Sequence, residues 1–161
     1  MAGTGEKMSA DVAELWNRVK SGRRDGHFYV ALFGLRKYDA LYLVAQIQRG
    51  LTYSAFERFR RNTDLPYRLL AQIVEIPERT LARRKASGRF EPDETDRLVR
   101  TSRVFARAIE LFEGNSENAH QWLTNPVGAL GGRTPLDFAS TDVGAIEVEN
   151  LIGRLEYGIP T

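Results

Sequence analysis

Two short segments, each headed by proline, stand close together in the middle of the chain: Pro66–Val74 and Pro77–Lys85, the second closed by Ser87-Gly88. Proline suits the start of a helix and pushes the residue before it into an extended conformation, so Leu65-Pro66 and Ile76-Pro77 each read as a break followed by a new helix start. Glycine after the second segment is a stop signal. Two short helices joined by a turn of about three residues is the helix-turn-helix arrangement, whose second helix enters the DNA major groove. Ala71 is small where the two helices must approach, and Leu70, Val74, Ile76 and Leu81 fall where the unit needs apolar contacts.

Leu81 fixes the orientation of the second helix. If it faces the core, residues two positions either side are displaced by about 200°, which turns Arg79 and Arg83 outward together. The planar arginine fork bonds the O6 and N7 acceptors of guanine bidentately, so these two are the expected base readers. Thr80 and Lys85 are expected on phosphates, with Arg84 as a further member of the DNA-binding set. Two residues depart from the usual pattern of such units: Arg84 stands where an apolar residue is common, and Glu75 stands where the turn usually carries glycine.

Charge supports a division of labour along the chain. Residues 49–107 carry 14 Lys/Arg against 8 Asp/Glu, whereas residues 108–161 carry 2 against 8. A basic middle beside an acidic end suits two partners of opposite sign, although charged helices also need solvated faces for their own sake. The chain has 161 residues and 42% hydrophobic side chains, enough for one ordinary core. It has no Cys and two His, His27 and His120, and their spacing fits no metal set, so neither a metal nor any other cofactor is expected. The apolar runs are too short to span a bilayer and no signal-peptide pattern opens the chain, so a soluble cytoplasmic protein without a membrane partner is expected.

The fold class expected is mainly α. Helical spacing starts near Tyr38 and stops at Gly50; Thr52 is a plausible N-cap for a helix to Thr63. A longer helix is expected over Asp93–Phe112, short helices at Asn118–Leu123 and from Thr134-Pro135, and a final amphipathic helix over Thr141–Tyr157. Only Phe28–Phe33 has strand character. Four regions follow: a flexible segment over 1–26, a helical dimerisation segment over 27–63, the helix-turn-helix region over 64–113, and a partner-binding region over 114–161. The dimerisation role rests on the many exposed-looking apolar residues between Phe28 and Phe59.

In the acidic end, Trp122-Leu123 is followed by a glycine-bearing loop and Leu130-Gly131-Gly132-Arg133-Thr134-Pro135-Leu136-Asp137. This is no phosphate loop, because Thr134-Pro135 stands where Lys-Ser/Thr should follow the glycines. Trp122, Leu123 and Leu136 are also ordinary core residue types. Carboxylate pairs give no enzyme: Glu147 and Glu149 lie on different helix faces, and Glu110 with Glu113 reads as an exposed helical pair. RNA binding has no support from a glycine- and aromatic-rich sheet motif.

The helix-turn-helix with Ser87-Gly88-Arg89-Phe90, the Pro92–Leu98 helix start, Trp122-Leu123, the Leu130–Asp137 block and the closing Gly153-Arg154-Leu155-Glu156-Tyr157-Gly158 together resemble the Xre/MbcA/ParS antitoxin family. The similarity runs from about residue 30 to the end. The resemblance implies a bacterial antitoxin with an Xre-like DNA-binding region and a small helical C-terminal toxin-binding region. Its implied partners are a cognate RES-domain toxin that depletes NAD and the operator of the shared operon, bound for autoregulation. A homodimer, with a higher assembly on toxin binding, is expected. The implied toxin-contact set is Trp122, Leu123, Leu130, Gly131, Gly132, Arg133, Pro135, Leu136, Asp137, Arg154, Glu156 and Tyr157. The alternative is a stand-alone helix-turn-helix repressor whose C-terminal region oligomerises or senses a ligand.

Overall fold

The computed structural model describes residues 8–160, which form nine α-helices and two 3-10 segments. The first helix, α1 (Ala10–Lys20), starts at Ser9, whose hydroxyl accepts from the Val12 amide at 3.1 Å. It buries Val12 and Leu15, and it carries a buried Asp11 that accepts hydrogen bonds from Arg36, Arg58 and Asn62. The flexible segment expected over 1–26 therefore gives way to an ordered helix over 10–20, tied down by a polar anchor 25 to 51 residues distant in sequence. The part of that expectation covering residues 1–7 lies outside the described residues.

Phe28–Phe33 is a 3-10 helix and not a strand. A strand needs a neighbour to satisfy its backbone, and the chain offers none here. Wound up, the segment packs Val30, Ala31, Leu32 and Phe33 against α1 and against the helices over Tyr53–Thr63 and Pro92–Leu111, with the Phe33 ring stacked on Phe59 at 4.7 Å. Phe28, Phe56 and Phe59 are buried too, so most of the apolar surface expected to lie exposed between Phe28 and Phe59 is core.

α2 (Ala40–Arg49) is capped by Asp39, which accepts from the Tyr42 amide at 3.0 Å, and ends at Gly50. Gly50 has φ +89°, and a Cβ there would lie 2.0 Å from the Phe90 carbonyl oxygen, so glycine alone fits. That close approach joins two loops: Phe90 N–H donates to Leu51 O and Tyr53 N–H to Gly88 O, each at 2.9 Å. Thr52 caps α3 (Tyr53–Thr63), accepting from the Ala55 amide. The short α4 (Tyr67–Ile73) and α5 (Glu78–Ser87) have Pro66 and Pro77 at the N-cap, one residue earlier than the first helical position expected for them.

The 20-residue α6 (Pro92–Leu111) is the axis of the molecule, packing against α1, the first 3-10 segment, α2, α7 (Ser116–Leu123) and α9 (Asp142–Glu156). Its apolar face, including Leu98, Val104, Phe105, Ala108 and Ile109, is fully buried. Between α7 and α9 lie the second 3-10 segment (Gly128–Leu130) and the single turn α8 (Pro135–Phe138), capped by Thr134. Among the described residues, no helix is long and apolar enough to cross a membrane.

Candidate nucleic-acid interface and partner surface

Four buried side chains, Leu70, Val74, Ile76 and Leu81, hold α4 and α5 together, with Ala71 at the contact. The turn closes through Val74 N–H to Leu70 O at 3.0 Å and Ile76 N–H to Ala71 O at 2.9 Å. Glu75 sits at φ +55°, the left-handed conformation that glycine would supply more cheaply. Arg97 of α6 completes the turn, donating from Nε to Val74 O at 2.6 Å and from Nη2 to Glu75 O at 3.5 Å. The carbonyls that α4 leaves unpaired at its C-terminus thus find a cation.

On α5, Thr80 and Leu81 face inward, while Arg79, Ala82, Arg83, Lys85 and Ala86 are exposed. Arg79, Ala82, Arg83 and Ala86 form one stripe at helical spacing, opposite the buried face. The two alanines, which carry no charge or motif to mark them in the sequence, keep this stripe low enough for a groove wall to approach the backbone. Arg68 and Gln72, one turn apart on α4 and exposed, border the same surface beside a groove of about 360 Å³ that runs along the turn.

Two of the expected DNA contacts are corrected. Thr80 is buried and accepts from Arg83 Nη2 at 3.1 Å, so it orients an arginine instead of meeting a phosphate. Arg84 is turned inward: its Nε and Nη2 meet the two Glu94 carboxylate oxygens at 2.8 and 3.0 Å. That bidentate pair raises the Arg84 pKa and occupies the fork that a phosphate would need. An arginine at the usually apolar position is accommodated because α6 supplies a buried glutamate to receive it.

In the C-terminal region, the expected partner-contact set divides in two. Leu123, Leu130, Pro135 and Leu136 are buried, and Trp122 is half-buried against the core. They support the surface from beneath. Glu156 is engaged from α6 by Arg107, at 3.0 and 3.3 Å. Gly131, Gly132, Arg133, Asp137 and Tyr157 are exposed, and Arg154 is half-buried. The loop folds on itself, with Val127 N–H donating to Arg133 O and Gly132 N–H to Val127 O, both at 3.1 Å. Arg133 then meets Asp137 at 2.8 Å one turn later.

Tyr157 is 82% exposed, Leu155 and Ile159 are exposed two residues to either side of it at the end of α9, and Val143 and Ile146 form an exposed pair near its start. Only Tyr157 of these five was expected; the outward repeat at Val143 and Ile146 was the available signal for the pair. His120 donates from Nδ1–H to Thr63 O at 2.8 Å, since a carbonyl can only accept. Of the carboxylate pairs, Glu110 is buried beside Arg24 and Arg107, Glu113 ends the helix at φ +53°, and Glu149 binds Arg103. Among the described residues no group of His, Cys, Asp and Glu is arranged to hold a metal ion.

Comparison with known proteins matches residues 43–103 to the antitoxin Xre-like helix-turn-helix domain and residues 107–158 to the antitoxin Xre/MbcA/ParS C-terminal toxin-binding domain. The two matches flank residues 104–106 inside α6, upstream of the 113/114 division expected from the sequence. An Antitoxin Xre of Yersinia enterocolitica is 35% identical over 127 residues, covering 78% of this chain and 86% of the relative. One from Photorhabdus laumondii is 34% identical over 119 residues, covering 73% and 80%. A more distant relative, the Prs ADP-ribosylating antitoxin of a Sphingobium species, is 20% identical over 136 residues, covering 75% and 86%.

Proposed function

Since the chain belongs to the Xre antitoxin family and joins a helix-turn-helix domain to a toxin-binding domain, which makes it a type II antitoxin and not an enzyme, we propose that it is cytoplasmic and that its toxin is a RES-domain enzyme that depletes NAD. The antitoxin covers the toxin's active site with its acidic C-terminal surface and represses their common operon by binding operator DNA. It acts as a homodimer and forms a higher assembly with toxin.

The observation that carries this reading is that α5 meets the first turn of α6 through Arg84–Glu94, whereas α9 meets its second half through Arg103–Glu149 and Arg107–Glu156, so the outward residues of α5 and of the C-terminal region lie on separate elements. Arg79, Arg83 and Lys85 project from α5, with no inward partner for their charge except the Arg83–Thr80 contact. Operator recognition falls to Arg79 and Arg83, with Lys85 on a phosphate. Toxin recognition falls to the exposed members of the C-terminal set: Gly131, Gly132, Arg133, Asp137 and Tyr157, with Arg154 at the edge. Of the carboxylates in residues 108–161, Glu110, Asp137, Glu149 and Glu156 meet arginines, while Glu113, Glu117, Asp142 and Glu147 are exposed and outside any ion pair among the described residues, and these suit a basic nucleotide-binding cleft.

The test is co-expression with the neighbouring gene product, pull-down, and NAD consumption by the captured protein. Capture with loss of activity is the expected result. Tyr157→Ala should weaken capture without lowering the melting temperature, because the ring contributes little to the core; full neutralisation by a folded Tyr157→Ala variant would remove Tyr157 from the interface. Neither capture nor inhibition by the unaltered chain would leave a stand-alone repressor.

A further inference from the structure

α5 carries four cations, Arg79, Arg83, Arg84 and Lys85, and one anion, Glu78. The anion is the first residue of the helix and is exposed. Nothing in α5 neutralises it. Leu81 and Ala82 stand three and four residues on, where a helical partner would have to be, and among the described residues the ion pairs made from α5 are those of Arg84 with Glu91 and Glu94. Glu78 also lines the groove of about 360 Å³ along the turn, together with Glu75, Arg68 and Gln72, beside the buried Ala71 and Ile76.

A free carboxylate on a surface that meets DNA is repelled by every phosphate near it, whatever the sequence. That loss is offset only where the duplex presents a hydrogen-bond donor. The first residues of a recognition helix are the ones that reach base edges, and in the major groove the base donors are the amino groups of cytosine, N4, and adenine, N6. Adenine sets its N7 acceptor beside N6, which suits the amide of Asn or Gln and opposes a carboxylate. Cytosine offers N4 with no acceptor next to it on its major-groove edge. We propose that Glu78 reads cytosine, accepting from N4–H, and rejects guanine and thymine, whose O6, N7 and O4 atoms are acceptors. Its neighbour Arg79, with a Cα about 3.8 Å away, reads guanine in the account above, so the cytosine lies within one base pair of that guanine. Two adjacent side chains of opposite charge thus sort bases by opposite chemistry, one seeking acceptors and the other a donor. An acid at this end of a helix also interacts favourably with the helix dipole; that contributes to stability and leaves base preference untouched. This inference rests on the operator reading above and names a base that the operator contains.

The test is selection by the full-length chain from a pool of DNA duplexes with a randomised core, repeated with Glu78→Gln, Glu78→Ala and Arg79→Ala, followed by titrations on the selected duplex and on a scrambled one. The unaltered chain should select cytosine within one base pair of the guanine that Arg79→Ala ceases to select. Glu78→Gln, equal in shape but able to donate as well as accept, should move that position to adenine and lose about tenfold on the cytosine duplex. Glu78→Ala should leave the position unselected, lose about tenfold on the selected duplex, and bind the scrambled duplex more tightly than the unaltered chain does, since the repulsion is gone. Cytosine still selected by both Glu78 variants would overturn the proposal, and any fall in their melting temperatures would then assign Glu78 to the helix dipole. So would an equal gain by Glu78→Ala on both duplexes, which would make the carboxylate a repulsive group and nothing more. Selection of a sequence by the unaltered chain with either of these results overturns this inference alone; selection of no sequence by the unaltered chain overturns the operator reading and this inference with it.

Discussion

Arg84 and Glu94 meet fork to fork, at 2.8 and 3.0 Å, where the last turn of α5 lies against the first turn of α6. Both side chains are mostly buried, at 19% and 8% exposure, and the same Glu94 carboxylate also accepts from the Glu91 amide at 2.8 Å. One contact therefore caps α6 and fixes the recognition helix to the central helix. Arg84→Ala should cost about 3 kcal/mol, because it leaves Glu94 buried without its cation. Thermal or urea unfolding measures the loss. Below the melting transition, the salt dependence of operator binding should be the same as for the unaltered chain; a slope lowered by about one unit would return Arg84 to the phosphate contacts.

Arg79→Ala and Arg83→Ala should each cost about 1–3 kcal/mol of operator affinity and relax base preference at one position, since both arginines lie on the outward stripe of α5. Lys85→Ala should weaken all sequences alike and lower the salt slope by about one unit. Binding titrations on an operator fragment and its single-base variants, at several salt concentrations, separate these outcomes. Uniform weakening by Arg79→Ala would make it a phosphate contact.

Glu75 holds a left-handed backbone at φ +55° in the turn between α4 and α5. Its side chain is exposed, and its backbone oxygen is the farther of the two carbonyls that Arg97 meets, after that of Val74. Glu75→Gly should raise stability by about 0.5–1 kcal/mol, the relief of the left-handed cost less the added freedom of the unfolded chain. A higher denaturant midpoint with unchanged slope is the expected readout, and a fall in stability would mean that the glutamate side chain supports the turn.

Burial alone would raise the Asp11 carboxyl, but hydrogen bonds from Arg58, Asn62 and Arg36 outweigh it and hold its pKa below the ordinary carboxylate value. A lowered folded-state pKa gives stability that is fully present above the ordinary value and is lost as pH falls through the folded one. Acidification should therefore release α1. Trp16 on α1 reports it by fluorescence in a Trp122→Phe background, which leaves that ring as the single tryptophan. Asp11→Asn should cost about 1–2 kcal/mol at neutral pH, the arginine ends being partly solvated, and should flatten the acid limb of the stability curve. An acid limb unchanged in Asp11→Asn would assign the effect to other carboxylates.

Much of the helical layout was legible in the sequence because its signals are local. Thr52, Thr134 and Thr141 accept from amides three residues ahead, Gly50 and Gly88 stop their helices by their own backbone geometry, and Leu81 turns Arg79 and Arg83 outward through the period of one helix. None of these depends on a distant residue. The Phe28–Phe33 run has strand character in the sequence because its apolar density says that it is buried and does not say against what; α1, α3 and α6 decide that. The same holds for the charges. That Arg84 turns to Glu94, Arg107 to Glu156 and Asp11 to Arg58 was decided by pairs 10 to 49 residues apart. Leu123, Leu130 and Leu136 are likewise buried once α7, α8 and α9 have packed. Composition and spacing determine which residues form helices and which faces are apolar; whether a given side chain is a hand held out to a partner or one already taken is a matter of burial and distance, and those exist only once the chain has packed.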